Sequence, residues 1–143
     1  MFIDKLLYLS QQKKNMATKI TDGVKITVET TYQPEYSNPA NSHFMFSYKI
    51  NIENLSDYTV QLMSRHWYIF DSNGTHREVA GEGVIGVQPV LEPGENHEYV
   101  SGCNLKTEMG KMWGTYTFRR LVDEELFEVQ IPEFEMLCSF KLN

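Results

Sequence analysis

The chain has 143 residues, 41% of them hydrophobic and 13% aromatic, with a formal net charge of −6. That length and composition suit one domain with a real core and exclude a disordered chain. The negative balance argues against an electrostatic grip on nucleic acid, and no apolar stretch approaches the roughly 18 to 20 residues of a membrane-spanning helix.

Residues 1–15 read as an N-terminal extension, either a short helix or a disordered linker. Phe2, Leu6 and Leu9 fit a helical stripe of about two turns, and 10–15 is polar. Asp4 and Lys5 interrupt the apolar run and no small-residue cleavage site follows, so the segment does not read as a signal peptide. Either 1–15 is a mobile appendage or Met16 is the natural start. Residues 16–143 form the domain.

From residue 24 the dominant period is two, the signature of strands with one buried face. Val24, Ile26 and Val28 alternate with Lys25, Thr27 and Glu29. Phe44, Phe46, Tyr48, Ile50 and Ile52 alternate with Met45, Ser47, Lys49, Asn51 and Glu53. Between these runs, 33–42 carries Pro34 and Pro39 and is long for a tight hairpin, so it is expected to cross between sheets. A turn at 54–57 leads into a strand over 60–70. There Met63, Arg65, Trp67 and Ile69 share one face, and Val60 is out of phase with them. Both faces are largely apolar, which makes this strand central. Asp71-Ser-Asn73-Gly74 predicts a hairpin with a type I′ turn, returning through 76–80. Glu92-Pro93-Gly94-Glu95 suits a type II turn. Strands at 97–104, 112–121 and 126–131 follow, the last two joined at Asp123-Glu124. The sum is an all-β chain of seven to eight antiparallel strands, an immunoglobulin-like or fibronectin type III β-sandwich, with a closed barrel as the alternative.

The segment 77–93 contains Gly81-x-Gly83-x-x-Gly86 followed by Val87-Gln88-Pro89. That glycine spacing suggests phosphate binding, but a dinucleotide fingerprint needs a helix at the last glycine. Pro89 and Pro93 forbid one, and no Gly-Lys-Ser/Thr follows for a P-loop. The glycines then serve a bulge, a positive φ, or the approach of a backbone or ligand. Arg65 and His66 are the polar residues of the central strand. His66 reads as a hydrogen-bonded core histidine and Arg65 as paired with a carboxylate. The sharper alternative is an anion site with Arg65 facing the glycine loop, helped by Arg77 or Lys111 if they are near.

Catalytic chemistry is weakly supported. The four histidines, His43, His66, His76 and His97, are dispersed, and none sits at a known ligand spacing with a cysteine or carboxylate. No metal site or cofactor is assigned. Ser101-Gly102-Cys103 is the one nucleophile cluster, and Cys103 points inward by parity, where a thiol is inert. Cys103 and Cys138 can form a disulfide on paper. Reduced thiols in a cytoplasmic protein fit better, because nothing marks export.

The residues that remain distinctive occur in a fixed order. They are Val60-Gln-Leu-Met-Ser-Arg-His-Trp67, Asp71-x-x-Gly74, Gly81-Glu-Gly-Val-Ile-Gly-Val-Gln-Pro89, Leu91-x-Pro-Gly94, Tyr99-x-Ser-Gly-Cys103, Gly110-x-Met-x-Gly-x-Tyr116 and Phe127-x-Val-x-Ile-Pro-x-Phe134. Over about 18–140 the chain resembles the ApaG family, the DUF525 domain. The resemblance implies a fibronectin-type β-sandwich and no established catalytic residues. Bacterial members are described as cobalt and magnesium efflux-associated, and the domain recurs in eukaryotic F-box proteins as an interaction module. The expected protein is therefore a non-enzymatic binding module tied to cation homeostasis through a protein partner. It is a monomer or weak homodimer, without nucleic-acid binding or membrane insertion. The alternative is a pyrophosphate or nucleotide polyphosphate site built from Gly81, Gly83, Gly86, Gln88 and Pro89, with Arg65 and His66.

Overall fold

The structure, a computed structural model, describes residues 15–138. Of the expected extension 1–15, residues 1–14, with the helical stripe at Phe2, Leu6 and Leu9, lie outside the described residues, and Met16 lies within the first strand. Asn15 opens that strand.

Among the described residues, nine strands form two antiparallel sheets: β1 (Asn15–Thr21), β2 (Val24–Tyr32), β3 (Phe44–Asn54), β4 (Val60–Asp71), β5 (His76–Glu82), β6 (Val90–Leu91), β7 (Asn96–Leu105), β8 (Met109–Arg120) and β9 (Glu125–Leu137). One sheet has the order β1-β2-β3-β7 and the other β5-β4-β8-β9, with β6 beside β4. Two packed sheets make a sandwich rather than the alternative barrel. The count exceeds the expected seven to eight because β1 and the two-residue β6 were not foreseen. Yet Asp22-Gly23 between β1 and β2 is a strong hairpin signal, and both residues have positive φ, +48° and +81°.

The core follows the alternation. Phe46, Ile50, Ile52, Ile26 and Val28 from one sheet meet Leu62, Trp67, Tyr116, Phe118 and Val129 from the other, all nearly fully buried. Each large side chain so buried contributes about 1.5 to 3 kcal/mol. Trp67 packs edge-on against Tyr116 and Phe134, with ring centroids 6.3 and 5.9 Å away.

Three expectations need correction. The segment 33–42 does not cross between sheets. It joins neighbouring β2 and β3 as a folded hairpin loop, with short 3₁₀ turns at Pro34–Tyr36 and Pro39–Asn41. Ser37 ties it back, donating from Oγ to Gln33 O and accepting the Met45 N–H. The turn at 71–74 is type I closed by a left-handed Gly74, not type I′, since Asn73 has no positive φ. The last strand does not stop at 131. It runs on to Leu137 because an extra residue at Pro132-Glu133, opposite Trp113, absorbs the proline in a bulge. Downstream of that bulge the inward parity switches to Phe134 and Met136.

A second bulge explains why Val60 is out of phase. Leu62 pairs with Phe118 and Ser64 with Thr117, so Met63 is the extra residue. Val60 and Leu62 face the core before it, and Trp67 and Ile69 face it after. β4 is central, as expected, with β8 on one side and β5 and β6 on the other. The two seams of the sandwich differ. At one, β9 packs against β1 and β2, and the Gln130 N–H reaches Thr21 Oγ1 at 3.2 Å. At the other, the edge strands β5 and β7 face each other across a cleft.

Candidate functional site: a cleft at the open seam

The β4 bulge organises the glycine segment. Its extra residue, Met63, turns a carbonyl toward the β5 side. That carbonyl accepts the Gly83 N–H and the Gln88 side-chain amide, each at 2.9 Å. Leu62 then donates its N–H to Pro89 O, 3.0 Å away. Between these anchors the chain makes a miniature hairpin. Val84 and Val87 exchange backbone hydrogen bonds of 2.8 and 3.1 Å around Ile85 and Gly86. Both tip residues have positive φ, +47° and +75°. Ile85 is the surprise: a β-branched side chain in the left-handed region is an outlier, and it is 62% exposed at the mouth of the cleft. Strain of this kind concentrates at functional sites.

The cleft encloses about 390 Å³. Tyr48, Trp67 and Met112 line its floor. Arg77, Val79, Glu82 and the hairpin tip stand on the β5 side, with Tyr99, Ser101 and Cys103 on the β7 side. Arg65 projects into it from β4 and lies over Gly81, where an added Cβ would sit 3.1 Å from the guanidinium nitrogens. Its Nη1 donates to Glu82 O and Gly83 O, both at 2.9 Å. Arg77 spans the seam, with Nη2 donating to Asn104 O at 2.5 Å and lying 3.5 Å from Cys103 Sγ. The expected carboxylate partner of Arg65 is thus replaced by backbone carbonyls. Arg119 and Arg120 do pair with carboxylates, at 3.6 Å from Glu124 and 2.6 Å from Asp123. Among the described residues, neither cleft guanidinium forms an ion pair with a carboxylate.

The hydroxyl and thiol groups of the cleft are neutral, and Glu82 is the carboxylate in its lining. Burial pushes the hydroxyls of Tyr48, Tyr99 and Tyr116 above the usual tyrosine value of 10.0, with the Arg65 charge opposing it. Tyr99 and Tyr116 share a hydrogen bond of 2.5 Å between their oxygens. Burial likewise raises the Cys103 thiol, and Arg77 pulls it only partly back. A thiol held protonated is a poor nucleophile. The arrangement can therefore offer cationic and neutral hydrogen-bond donors to a ligand above an aromatic floor.

Of the residues singled out in sequence, Arg65 and Gly86 line the cleft. Gly81 lies under the Arg65 guanidinium, while Gly83, Gln88 and Pro89 are spent in anchoring the hairpin. His66 is elsewhere. It sits half-exposed on the outer face of its sheet rather than in the core, with Nε2 2.8 Å from Glu78 Oε1 and its ring stacked on Tyr68. Lys111 is also on that outer face, 3.6 Å from Glu133. Arg77 does reach the site. Tyr48, Tyr99 and Ser101 were legible as inward residues by parity, but not as neighbours of Arg65 and Arg77, since sheet order decides which edges meet. Among the described residues, no group of three His, Cys, Asp or Glu could hold a metal ion, and no helix is long and apolar enough to cross a membrane.

Comparison with known proteins agrees with the fold. A profile of the ApaG domain, DUF525, matches residues 34–120. The chain is 45% identical over 128 residues to Protein ApaG of Anaeromyxobacter dehalogenans (strain 2CP-C), a match covering 90% of this chain and 100% of that one. It is 47% identical over 127 residues to Protein ApaG of Beijerinckia indica, covering 87% of this chain and 95% of that one. A crystal structure from Bordetella pertussis, described as an ApaA protein, superposes with a TM-score of 0.78 at 41% identity, over 80% of this chain and 93% of that one. With relatives this similar along nearly their whole length, the chain belongs to the ApaG family.

Proposed function

We propose that the protein is a non-catalytic binding module whose working surface is the open seam, and that its partner is another protein. The observation that carries this reading is the pair Arg65 and Arg77. Arg65 bonds to two backbone carbonyls and Arg77 to one and to the Cys103 thiol, and among the described residues neither forms an ion pair with a carboxylate, while both face a cleft between two unpaired strand edges. A cation charge left without a carboxylate beside a solvent-open cleft favours an incoming acceptor. The tie to cobalt and magnesium homeostasis, implied by the family resemblance, then runs through the partner. The test places a photo-crosslinking residue at Ile85 and, as a control, at the exposed Leu126 in β9. A discrete protein adduct from position 85 alone, lost when Arg77→Gln is added, supports the reading. Equal labelling from both positions, or adducts indifferent to Arg77, defeats it.

A second reading has its own support. Arg65, Arg77 and the tip of the glycine hairpin line one cleft, which suits pyrophosphate or a nucleotide polyphosphate. Against it, the Gly83 amide already donates to Met63 O on β4 and the Val84 and Val87 amides donate to each other's carbonyls, which leaves Ile85 and Gly86 at the tip to serve an anion. Thermal unfolding with pyrophosphate, ATP, diadenosine tetraphosphate, Mg²⁺ and Co²⁺ separates the readings. A ligand at 100 times its Kd stabilises by about 2.7 kcal/mol. A polyphosphate shift abolished by Arg77→Gln would put the small-molecule reading first.

A further inference from the structure

The edge of β5 can be read amide by amide. Asp71 donates its N–H to Thr75 O, and Gly83 donates its N–H to Met63 O, each at 2.9 Å. Antiparallel ladders alternate hydrogen-bonded and non-bonded pairs, so stepping by two from either end gives the same result. Ile69 with Arg77, Trp67 with Val79 and Arg65 with Gly81 are the bonded pairs. The N–H and C=O groups of Glu78 and Ala80 therefore point away from β4, toward the free edge. Beyond them Arg65 covers the edge by taking Glu82 O. On the facing strand, Arg77 covers the edge of β7 at Asn104 O. β5 is exposed along nearly its whole length, whereas β7 is exposed on its outer face alone.

We propose that the free edge of β5 takes an extended segment of a partner protein as an added strand, with an acidic side chain beside Arg77 and an apolar one beside Val79. This rests on the binding-module reading and names its partner's chemistry. Glu78 and Ala80 offer the guest two N–H donors and two C=O acceptors, and main-chain bonds supply the affinity of strand addition. Alternate guest side chains turn toward the cleft, where their neighbours are Arg77 and Val79. Opposite charges and apolar pairs across strands are favourable. Val79 is 42% exposed and Ile85 62%, so an apolar guest residue has surface to cover. Guest residues on the outer side pass Glu78 and must not be acidic there. The selected motif is therefore one acidic and one apolar residue two positions apart, with a non-acidic residue between. Glu78 and Glu82 also act against indiscriminate pairing, because charge on an edge strand discourages self-association.

The test selects binders from a random nonapeptide phage library and titrates a synthetic copy of the enriched sequence into the isotope-labelled full chain. The expected peptide carries the acidic-x-apolar spacing in either direction. It should protect the Glu78 and Ala80 amides from hydrogen exchange and lose about tenfold in affinity with Arg77→Gln, the worth of one hydrogen bond to a charged group. Ala80→Pro should weaken it as much, because it removes an edge N–H that takes no part in the β4 ladder. The wild-type exchange pattern decides the matter if that variant fails to fold. No enriched peptide, peptides without an acidic residue, or protection on β7 or elsewhere would overturn the proposal. Should that happen while the Arg77-dependent adduct at position 85 persists, the binding-module reading survives and the mode of contact is different. Loss of that adduct as well removes both.

Discussion

The glycine segment invites a sharp test, because its glycines are needed for different reasons. At Gly83 an added Cβ would lie 2.3 Å from Val87 O and 3.0 Å from Val87 C, and φ is +64°. At Gly86 φ is +75° but nothing lies within 4 Å. A left-handed conformation costs an L-residue about 1 to 2 kcal/mol, and both alanine variants incur that. Gly83→Ala must in addition push the hairpin away, and the carbonyl it meets accepts the Val84 N–H. Weakening that bond and the Gly83 anchor to Met63 O costs about 1 kcal/mol each. The expected losses are therefore about 3 kcal/mol for Gly83→Ala and about 1 kcal/mol for Gly86→Ala.

Urea denaturation followed by tryptophan fluorescence measures both, since a domain of this size usually unfolds in two states. Gly86→Asn should recover part of the smaller loss, because Asn tolerates the left-handed region. If Gly86→Ala costs as much as Gly83→Ala, or Gly83→Ala costs less than about 1 kcal/mol, the close approach to Val87 is not what holds glycine at 83. A corollary concerns ligand experiments. Substitution at Gly83 mixes folding with binding, so loss of a ligand there says little, and Gly86 is the position at which to probe the tip.

Two further outcomes follow from buried polar groups. Asp71 is 5% exposed and accepts the Lys106 N–H at 2.7 Å together with the Thr107 hydroxyl, fastening the 71–74 turn to the turn between β7 and β8. Asp71→Ala strands the Lys106 N–H and should cost about 2 to 3 kcal/mol in urea denaturation, with Asp71→Asn milder because one acceptor remains; equal costs would contradict this account. The second outcome concerns alkaline pH. Tyr48, Tyr99 and Tyr116 are pushed above 10.0 chiefly by burial, so the folded state keeps protons that the unfolded state releases. Their contribution is fully present below the unfolded pKa and is lost as pH rises above it, with a slope of up to about 4 kcal/mol per pH unit if all three take part. Circular dichroism should hold to about pH 9 and then collapse as the tyrosinate band grows. A band that reaches completion while the fold persists would refute it.

The parts of this molecule legible in sequence are those decided locally. Phe44 to Ile52 alternates strictly, and β3 is buried on those residues. Glu92 to Glu95 reads as a turn, and the Glu95 N–H closes on Glu92 O at 2.9 Å. What escaped depends on partners. A bulge is a choice between two registers, and the sequence of β4 alone does not say that Met63 is the residue left over. Pro132 was the better clue, because a proline inside a strand implies an edge or a bulge. The pairing of Arg77 with the β7 edge required knowing that β5 and β7 bound the same seam. The glycine motif lies between these cases. Its first explanation is the Met63 bulge, which offers one carbonyl to both Gly83 and Gln88 and so forces the chain to leave the sheet, turn and return as β6. That accounts for Gly83, Gln88 and Pro89 without any ligand. It does not account for a left-handed Ile85 at the tip, nor for two arginines that face the cleft and, among the described residues, form no ion pair with a carboxylate. Where local rules are broken with no folding gain in sight, function is the usual reason, and here both exceptions border the free edge of β5.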